Sequence, residues 1–204
     1  WLLEDESTNL ITQSELFSDA SWVKEGGAII ELNTSTSPDG SINASYLKAP
    51  ITTNNTVRIS NTFSTTSSQT YLGSIFVKKD NIDYIRILST GATASTLQAF
   101  YNVSNGTLGS AGTPSKATIE DFGNGWYRLG LIIDAVNSNS VATFRIQLAK
   151  TDGAVISNFD GTEKNIIWGA QLEQQSYATS YIPTSGATST RLRDLATDSG
   201  NSTL

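Results

Sequence analysis

The sequence predicts an all-β fold, a two-sheet antiparallel β-sandwich. Three observations favour it. Short runs of alternating apolar and polar residues are separated by stretches rich in Ser, Thr, Asn and Gly, which is typical of many short strands joined by turns. No segment has a sustained apolar period of 3.6 residues, so helix is expected only in short turns. The length of 204 residues fits one sandwich domain.

Nine segments are predicted as strands. Each is a short apolar run bounded by Ser, Thr, Asn or Gly, as in the Gly-Asn-Gly turn before Trp126. In chain order they are Ala28–Leu32, Thr56–Phe63, Tyr71–Lys78, Tyr84–Ser89, Leu97–Val103, Ala117–Asp121, Trp126–Asp134, Ala142–Lys150 and Ile166–Glu173.

Several of these strands have one apolar face and one face with Arg, Gln or Tyr, because side chains alternate between the two faces of a sheet. The apolar sets are Ile85 and Ile87; Tyr127, Leu129, Leu131 and Ile133; Phe144, Ile146 and Leu148; and Ile166, Trp168, Ala170 and Leu172. If these strands share a sheet, the opposite sets form a polar surface with scattered aromatic rings.

The composition excludes several classes of function. The chain has no cysteine, which excludes a disulfide framework and thiolate metal sites. It has no histidine, which excludes the usual Ser-His-Asp and Cys-His nucleophile systems and nearly all zinc sites. A chain that begins at Trp1 and has no methionine is expected to be a fragment, a processed product or an excised domain.

The charge pattern argues against nucleic acid and membrane partners. The net charge is −6, and Lys and Arg form no run. Nucleic-acid binding needs a basic patch that displaces counterions from phosphates. No apolar stretch reaches the roughly 18 residues of a membrane-spanning helix, and no signal-peptide pattern is present. We therefore expect no nucleic-acid binding and no membrane insertion.

Several segments in a fixed order resemble a known family. The most informative is NIIWGAQLEQQSYATSYIPT at Asn165–Thr184, which follows GNGWYR at Gly123–Arg128. The others are TNLITQSELFSDASW at Thr8–Trp22, SPDG at Ser37–Gly40, YLGSIFVKK at Tyr71–Lys79, YNVSNGTLG at Tyr101–Gly109 and NFDGT at Asn158–Thr162. Together they resemble the concanavalin A-like jelly-roll domain of bacteriophage tail, fibre and head-spike proteins and of secreted bacterial proteins. The opening segment is also similar to jelly-roll carbohydrate-binding modules. The resemblance covers most of the chain and implies a concanavalin A-like jelly roll with an adhesive or structural role.

The chain is expected to divide into three parts. Residues 1–8 are predicted to be a lead-in connector, residues 9–184 the jelly-roll domain, and residues 185–204 a Ser- and Thr-rich exit segment or linker. Ser185–Asp194 resembles the family's exit segment, which has an arginine near Arg191.

A polar sheet face with Tyr and Arg is the arrangement with which a jelly-roll module binds sugars. Aromatic rings stack on pyranose faces, while Arg and Gln hydrogen-bond the hydroxyl groups. The predicted ligand-binding residues are Tyr84, Arg86, Arg128, Arg145 and Gln147. The alternative is that these are ordinary solvent-facing positions, or that they line an interface with a neighbouring subunit.

Most of the large aromatic residues are expected to pack rather than to bind ligand. Trp22, Trp126 and Trp168 are predicted to lie in the core or at its edge. Tyr177 and Tyr181 follow the last strand and are expected to be exposed.

The resemblance also implies a metal site. Related sugar-binding jelly rolls often hold a structural calcium ion near the first and last strands, through six to eight oxygen ligands. Glu15 and Asp19 lie at the matching place in this sequence. The last-strand position that usually has an acid is Gly169-Ala170-Gln171 here.

An enzymatic function would rest on carboxylates alone. Glycosidases need two acids about 5 to 10 Å apart across a cleft, and concanavalin A-like glucanases place theirs alternately along one strand. In Glu4-Asp5-Glu6 and Glu120-Asp121, neighbouring acids point to opposite faces. Catalysis is therefore not expected.

These observations together predict a non-catalytic carbohydrate-binding, host-recognition module of a phage tail, fibre or spike protein, or of a secreted polysaccharide-active protein. Its expected location is extracellular or on the virion surface. Its expected partners are a poly- or oligosaccharide of a host surface, and further copies of itself (as in a trimer) or other virion proteins. One alternative is a purely structural virion domain. A weaker one is a glucanase-like enzyme that degrades polysaccharides.

Overall fold

The computed structural model of the protein describes residues 3–93, 95–135 and 141–194. They form sixteen strands and a 3-10 helix, Pro114–Lys116. The strands are β1 Ser7–Asn9, β2 Val23–Glu25, β3 Ile29–Ser35, β4 Ala44–Lys48, β5 Ile51–Asn55, β6 Arg58–Ser64, β7 Thr70–Lys79, β8 Tyr84–Thr90, β9 Leu97–Asn102, β10 Thr107–Gly112, β11 Ala117–Gly123, β12 Trp126–Asp134, β13 Val141–Ala149, β14 Ser157–Asp160, β15 Lys164–Glu173 and β16 Ser189–Arg191. Within these ranges no helix is long and apolar enough to cross a membrane.

Two antiparallel six-stranded sheets contain most of the strands. Sheet I has the order β10-β9-β8-β13-β6-β2, and sheet II has the order β11-β12-β7-β15-β4-β3. Two-stranded ladders join β1 to β16 and β5 to β14. The predicted all-β, two-sheet antiparallel sandwich is therefore confirmed, and each of the nine predicted strands overlaps an observed one.

The main core lies between the two sheets. The inward residues of sheet I include Ile59, Ile85, Ile87, Phe144, Ile146 and Leu148, and those of sheet II include Ile75, Val77, Leu129, Leu131, Ile133 and Ile167. All of them are at most 1% exposed. Burial of each such side chain stabilises the fold by roughly 1.5–3 kcal/mol. These sets agree with the predicted alternation in β8, β12 and β13.

The predicted alternation in the last strand, β15, is wrong in its first half. Ile166 and Trp168 pack in a separate cluster on the outer face of sheet II, whereas Ala170 and Leu172 lie in the main core. A β-bulge after Trp168, with Gly169 at a φ of 61°, adds one residue and reverses the alternation.

The side chain of Asn9 binds backbone groups around this bulge. Its Nδ2 donates to the carbonyl oxygens of Ala170 (3.1 Å) and Ile182 (2.9 Å). Its Oδ1 accepts from the backbone N–H groups of Leu172 (3.0 Å) and Ile11 (3.1 Å). Asn9 is fully buried. It therefore joins the first strand, the last long strand and the segment that follows it.

The predicted connector and exit segment meet in the structure. β1 pairs with β16, and Arg191 forms an ion pair with Glu4. The described parts of both segments thus lie together, and β1 also lies beside β15. Division of the chain at residues 8 and 185 stays a prediction, and residues 1–2 and 195–204 lie outside the described residues.

Candidate functional site

The outer face of sheet I brings together four of the five predicted ligand-binding residues. Tyr84 and Arg86 lie in β8, and Arg145 and Gln147 lie in β13. Gln147 stands between Arg86 on one side and Arg58 of β6 on the other. We call this surface the arginine face; its polar members are Glu25, Arg58, Arg86, Gln98, Arg145 and Gln147.

Arg86 and Gln147 form the buried base of the arginine face. Arg86 donates from Nε to Oε1 of Gln98 (2.7 Å) and from Nη1 to Oε1 of Gln147 (2.9 Å), and its guanidinium lies over the ring of Phe100. Gln147 in turn donates from Nε2 to the carbonyl oxygen of Val155 (2.6 Å). Arg86 is 5% exposed and Gln147 is 1% exposed. Both side chains are therefore held in fixed positions by the protein itself.

Arg145 and Glu25 form the accessible layer. The carboxylate of Glu25 accepts hydrogen bonds at Oε2 from Nε (2.9 Å) and Nη2 (2.5 Å) of Arg58, and at Oε1 from Ser60 (3.0 Å). Nε of Arg145 lies 3.6 Å from Oε1 of Glu25, and the Arg145 side chain is 21% exposed. Arg145 makes no hydrogen bond to any residue that the structure describes, although its Nε is buried. Its two Nη groups thus have no acceptor among the described residues and can donate to a ligand.

The arginine face keeps a positive charge near neutral pH. Burial, together with repulsion from Arg58 and Arg145, lowers the pKa of Arg86 to about 10. Burial would raise the pKa of Glu25, but hydrogen bonds from Arg58 and Ser60 and the charges of Arg58 and Arg145 hold it below its ordinary value. Three guanidinium groups therefore face one carboxylate.

The loop 150–156 covers one end of the arginine face. Its Asp152 accepts hydrogen bonds from the backbone N–H groups of Ser110 (2.7 Å) and Ala111 (3.3 Å) in β10, the edge strand of sheet I. Its Val155 carbonyl binds Gln147. Because the loop is attached at both places, it lies over the Arg86 end of the face and forms a wall there.

Tyr84 lies beyond Arg86 on the same face. It pairs with Ala149 and Asn102 in the neighbouring strands and is half-buried.

Arg128, the fifth predicted ligand-binding residue, lies in sheet II, so the expectation that it shares a face with the other four is wrong. It is 5% exposed, and its guanidinium carbon lies 5.2 Å from the centre of the Phe76 ring. It donates to Oγ of Ser74 and to the carbonyl oxygen of Thr179. Burial lowers the pKa of Arg128, although Glu173 is the largest of several nearby groups that oppose this. Its contacts attach the segment after β15 to the outer face of sheet II.

An aromatic cluster covers part of that outer face. Trp126 and Trp168 are 3% exposed in it, and Trp22 is fully buried in the main core, so the predicted packing of the three tryptophans is confirmed. Tyr177 is 51% exposed, as predicted. Tyr181 is half-buried, contrary to the prediction, because its ring packs 4.5 Å from that of Trp168.

A cleft of about 340 Å³ adjoins this cluster, and we call it the Phe122 cleft. Phe122 is 44% exposed and stands edge-on to Phe76, with Lys78 and Asn124 also lining the cleft. Phe122 lies on the outer face of sheet II, on the opposite side of the sandwich from the arginine face.

Glu15 and Asp19, the predicted calcium ligands, are bound by protein donors. Glu15 accepts from Nδ2 of Asn43 (2.9 Å) and from the hydroxyl of Tyr181 (2.9 Å), and Asp19 accepts from the backbone N–H of Ser21 (2.8 Å). The part of the chain that the structure describes has no group of three or more acidic side chains suited to hold a metal ion. Calcium binding through Glu15 and Asp19 stays a prediction, and it would need further oxygen ligands, because calcium takes six to eight.

No family model and no curated protein sequence matches the chain. Several solved structures match it. The carbohydrate-binding module TmCBM61, solved with β-1,4-galactotriose, has 8% identity and a TM-score of 0.50, over 82% of this chain and 99% of that one. The CBM22-1 xylan-binding domain of Xyn10C from Paenibacillus barcinonensis has 9% identity and a TM-score of 0.47, over 82% and 93%. The enzymatically active domain of bacteriophage CBA120 tailspike protein 4 has 11% identity and a TM-score of 0.49, over 80% of this chain.

The likeness is one of fold. It shows that the chain shares the β-sandwich fold of TmCBM61, while assignment to the concanavalin A-like branch stays a prediction. The match spans only 21% of the length of the solved tailspike domain.

Proposed function

We propose that the chain is a non-catalytic carbohydrate-binding module that holds its ligand on the arginine face. The observation that supports this best is Arg145, whose guanidinium makes no hydrogen bond within the described residues and lies 3.6 Å from the carboxylate of Glu25. Neighbouring hydroxyl groups of a sugar match such a pair. One hydroxyl oxygen accepts from the guanidinium, and the other hydroxyl donates to the carboxylate.

The buried base of the face supports the same proposal. Arg86 and Gln147 fix the floor below Arg145, and two hydrogen bonds from Arg58 hold Glu25 in place. A ligand would therefore have few side chains to order, which reduces the entropic cost of binding. Tyr84 is half-buried beyond Arg86 and extends the face along β8.

We further propose that this binding serves host recognition, in a phage tail, fibre or spike protein or in a secreted polysaccharide-active protein, outside the cell or on the virion surface. The support is the order of the sequence segments that end in Asn165–Thr184. A shallow surface with one free guanidinium binds weakly, so several copies in an oligomer such as a trimer would raise the overall affinity through avidity.

The alternative is a purely structural virion domain. In its favour, Arg86, Arg128 and Gln147 are at most 5% exposed and find their partners within the chain. On this alternative, another protein would cover the arginine face and no sugar would bind.

A glycan array followed by calorimetric titration tests the proposal. Three variants are compared with the parent chain: Arg145→Gln, Glu25→Gln and the control Arg193→Gln, an exposed arginine that follows β16. We expect the parent and the control to bind the same saccharides. Arg145→Gln should lose at least about tenfold in affinity, as expected for loss of a hydrogen bond to a charged group, with little change in melting temperature. Absence of binding to every saccharide would favour the structural alternative.

A further inference from the structure

The arginine face is positively charged although the whole chain has a net charge of −6. Arg58 makes two hydrogen bonds to Glu25, so this carboxylate is already paired. Among the described residues, the hydrogen-bond acceptors of Arg86 are the neutral amide oxygens of Gln98 and Gln147. The charge of Arg86 therefore has no carboxylate partner in the part of the chain that the structure describes.

Few groups on the face could offset this charge. In the strand register, the residues directly opposite the three arginines are Leu88, Phe100, Gln147, Ser60 and Glu25. Glu25 is the only acid among them. On the covering loop, Asp152 is turned to β10 and Lys150 pairs with Glu163. Two of the three positive charges thus remain unbalanced by the surrounding described residues.

A group of cations lowers the stability of a protein when it is buried and has no anionic partner. Like charges close together disfavour each other, and a desolvated cation without a partner destabilises the protein. The lowered pKa of Arg86 has this cause, since burial and the charges of Arg58 and Arg145 act together on it. An anion placed above the face would relieve this repulsion.

We propose that the arginine face selects acidic saccharides, with a carboxylate or sulfate group of the sugar bound by the guanidinium of Arg145. This inference rests on the proposed carbohydrate-binding function. A planar guanidinium with free donors matches the paired oxygens of these groups and binds them more strongly than it binds a hydroxyl. A neutral sugar would shield Arg145 from water without neutralising it, which lowers the gain on binding.

Matched saccharide pairs test the proposal by calorimetry. One pair is polygalacturonate and its carboxyl-reduced form; the other is dextran sulfate and dextran. We expect the acidic member of at least one pair to bind about tenfold or more tightly than its neutral partner, in line with a charge-assisted hydrogen bond. The preferred pair distinguishes carboxylate from sulfate. The preference should shrink at about 0.5 M salt, because surface charges are then screened.

Variants separate this site from a general effect of charge. Arg145→Gln should abolish the preference for the acidic member. Arg145→Lys keeps the charge but loses the planar pair of N–H donors, and it should retain only part of the preference. Glu25→Gln removes the one carboxylate and should increase the preference. The control Arg193→Gln removes one positive charge beyond β16 and should leave the preference unchanged.

The outcomes separate the two proposals. Equal binding of acidic and neutral members, sensitive to Arg145→Gln, would overturn acidic selectivity and leave sugar binding in place. Preference for the acidic member that survives Arg145→Gln would overturn the assignment to this face. Absence of binding to all four probes and across the glycan array would contradict the proposed function itself.

Discussion

Replacement of Asn9 by alanine is predicted to be among the most destabilising single changes in this domain. The substitution removes four hydrogen bonds, to Ala170, Ile182, Leu172 and Ile11. At about 1 kcal/mol for each, the loss is about 4 kcal/mol. Domains are stabilised by only about 5–15 kcal/mol in total, so this loss would remove roughly a quarter to four fifths of the free energy of unfolding.

Urea denaturation followed by tryptophan fluorescence measures this loss. With a slope of about 2 kcal/mol/M, the midpoint should fall by about 2 M. Asn105→Ala is the matched control, because Asn105 is exposed and its side chain accepts a single hydrogen bond, from Thr107. Its midpoint should stay within about 0.3 M of the parent, as expected for a surface change. Equal midpoints for the two variants would refute the role given to Asn9 at the bulge.

Three further predictions concern packing, pH and calcium. Gly73→Ala would place a methyl carbon 2.5 Å from the Phe144 ring. The substitution should lower the free energy of unfolding by about 1–3 kcal/mol. Adding Phe144→Leu to the same chain should restore part of this loss, as measured by urea denaturation. An unchanged midpoint for Gly73→Ala alone would contradict the contact. The pKa of Glu25 is lowered on folding, so its stabilisation is present above its ordinary pKa and disappears as the pH falls through the folded value. Melting temperatures measured from neutral to acidic pH should therefore fall less steeply for Glu25→Gln, and parallel curves would contradict this. If calcium binds through Glu15 and Asp19, added calcium should raise the melting temperature of the parent but not of the Glu15→Gln, Asp19→Asn double variant; no rise in the parent would contradict it.

Strands such as β8, β12 and β13 could be predicted because their apolar residues alternate with other residues along the chain. The alternation of β13, for example, separates Phe144, Ile146 and Leu148 from Arg145 and Gln147, and the structure has this arrangement. β15 was only partly predictable. The extra residue at the bulge moves the side chains that follow it to the opposite face, and no residue type in the strand indicates this shift. Strands such as β1 and β16 have three residues each, too few for a periodic pattern.

The candidate site was predictable in part for the same reason. Arg86, Arg145 and Gln147 lie on one face because β8 and β13 are neighbours. Arg128 is a similar outward polar position in β12. Its sheet could not be predicted, because the sheet that a strand joins depends on pairing with segments distant in the sequence. The burial of Arg86 was not predictable either, since it depends on contacts with Gln98, Phe100 and Gln147 of the neighbouring strands. Arg58 and Glu25 were missed because their importance arises from contact with each other across two strands.

The pairing of β1 with β16 has a mechanical consequence. Glu4 and Asp194 exchange hydrogen bonds, so the chain enters and leaves the sandwich at adjacent points. A force that pulls these two points apart would act across the ladder and open its hydrogen bonds one after another, beginning beside Ser7 and Arg191. The load would next reach Asn9, the residue that joins the ladder to β15. The three-residue ladder would thus open at low force and increase the distance between the two points. Both sheets and the arginine face would stay folded until the hydrogen bonds of Asn9 break.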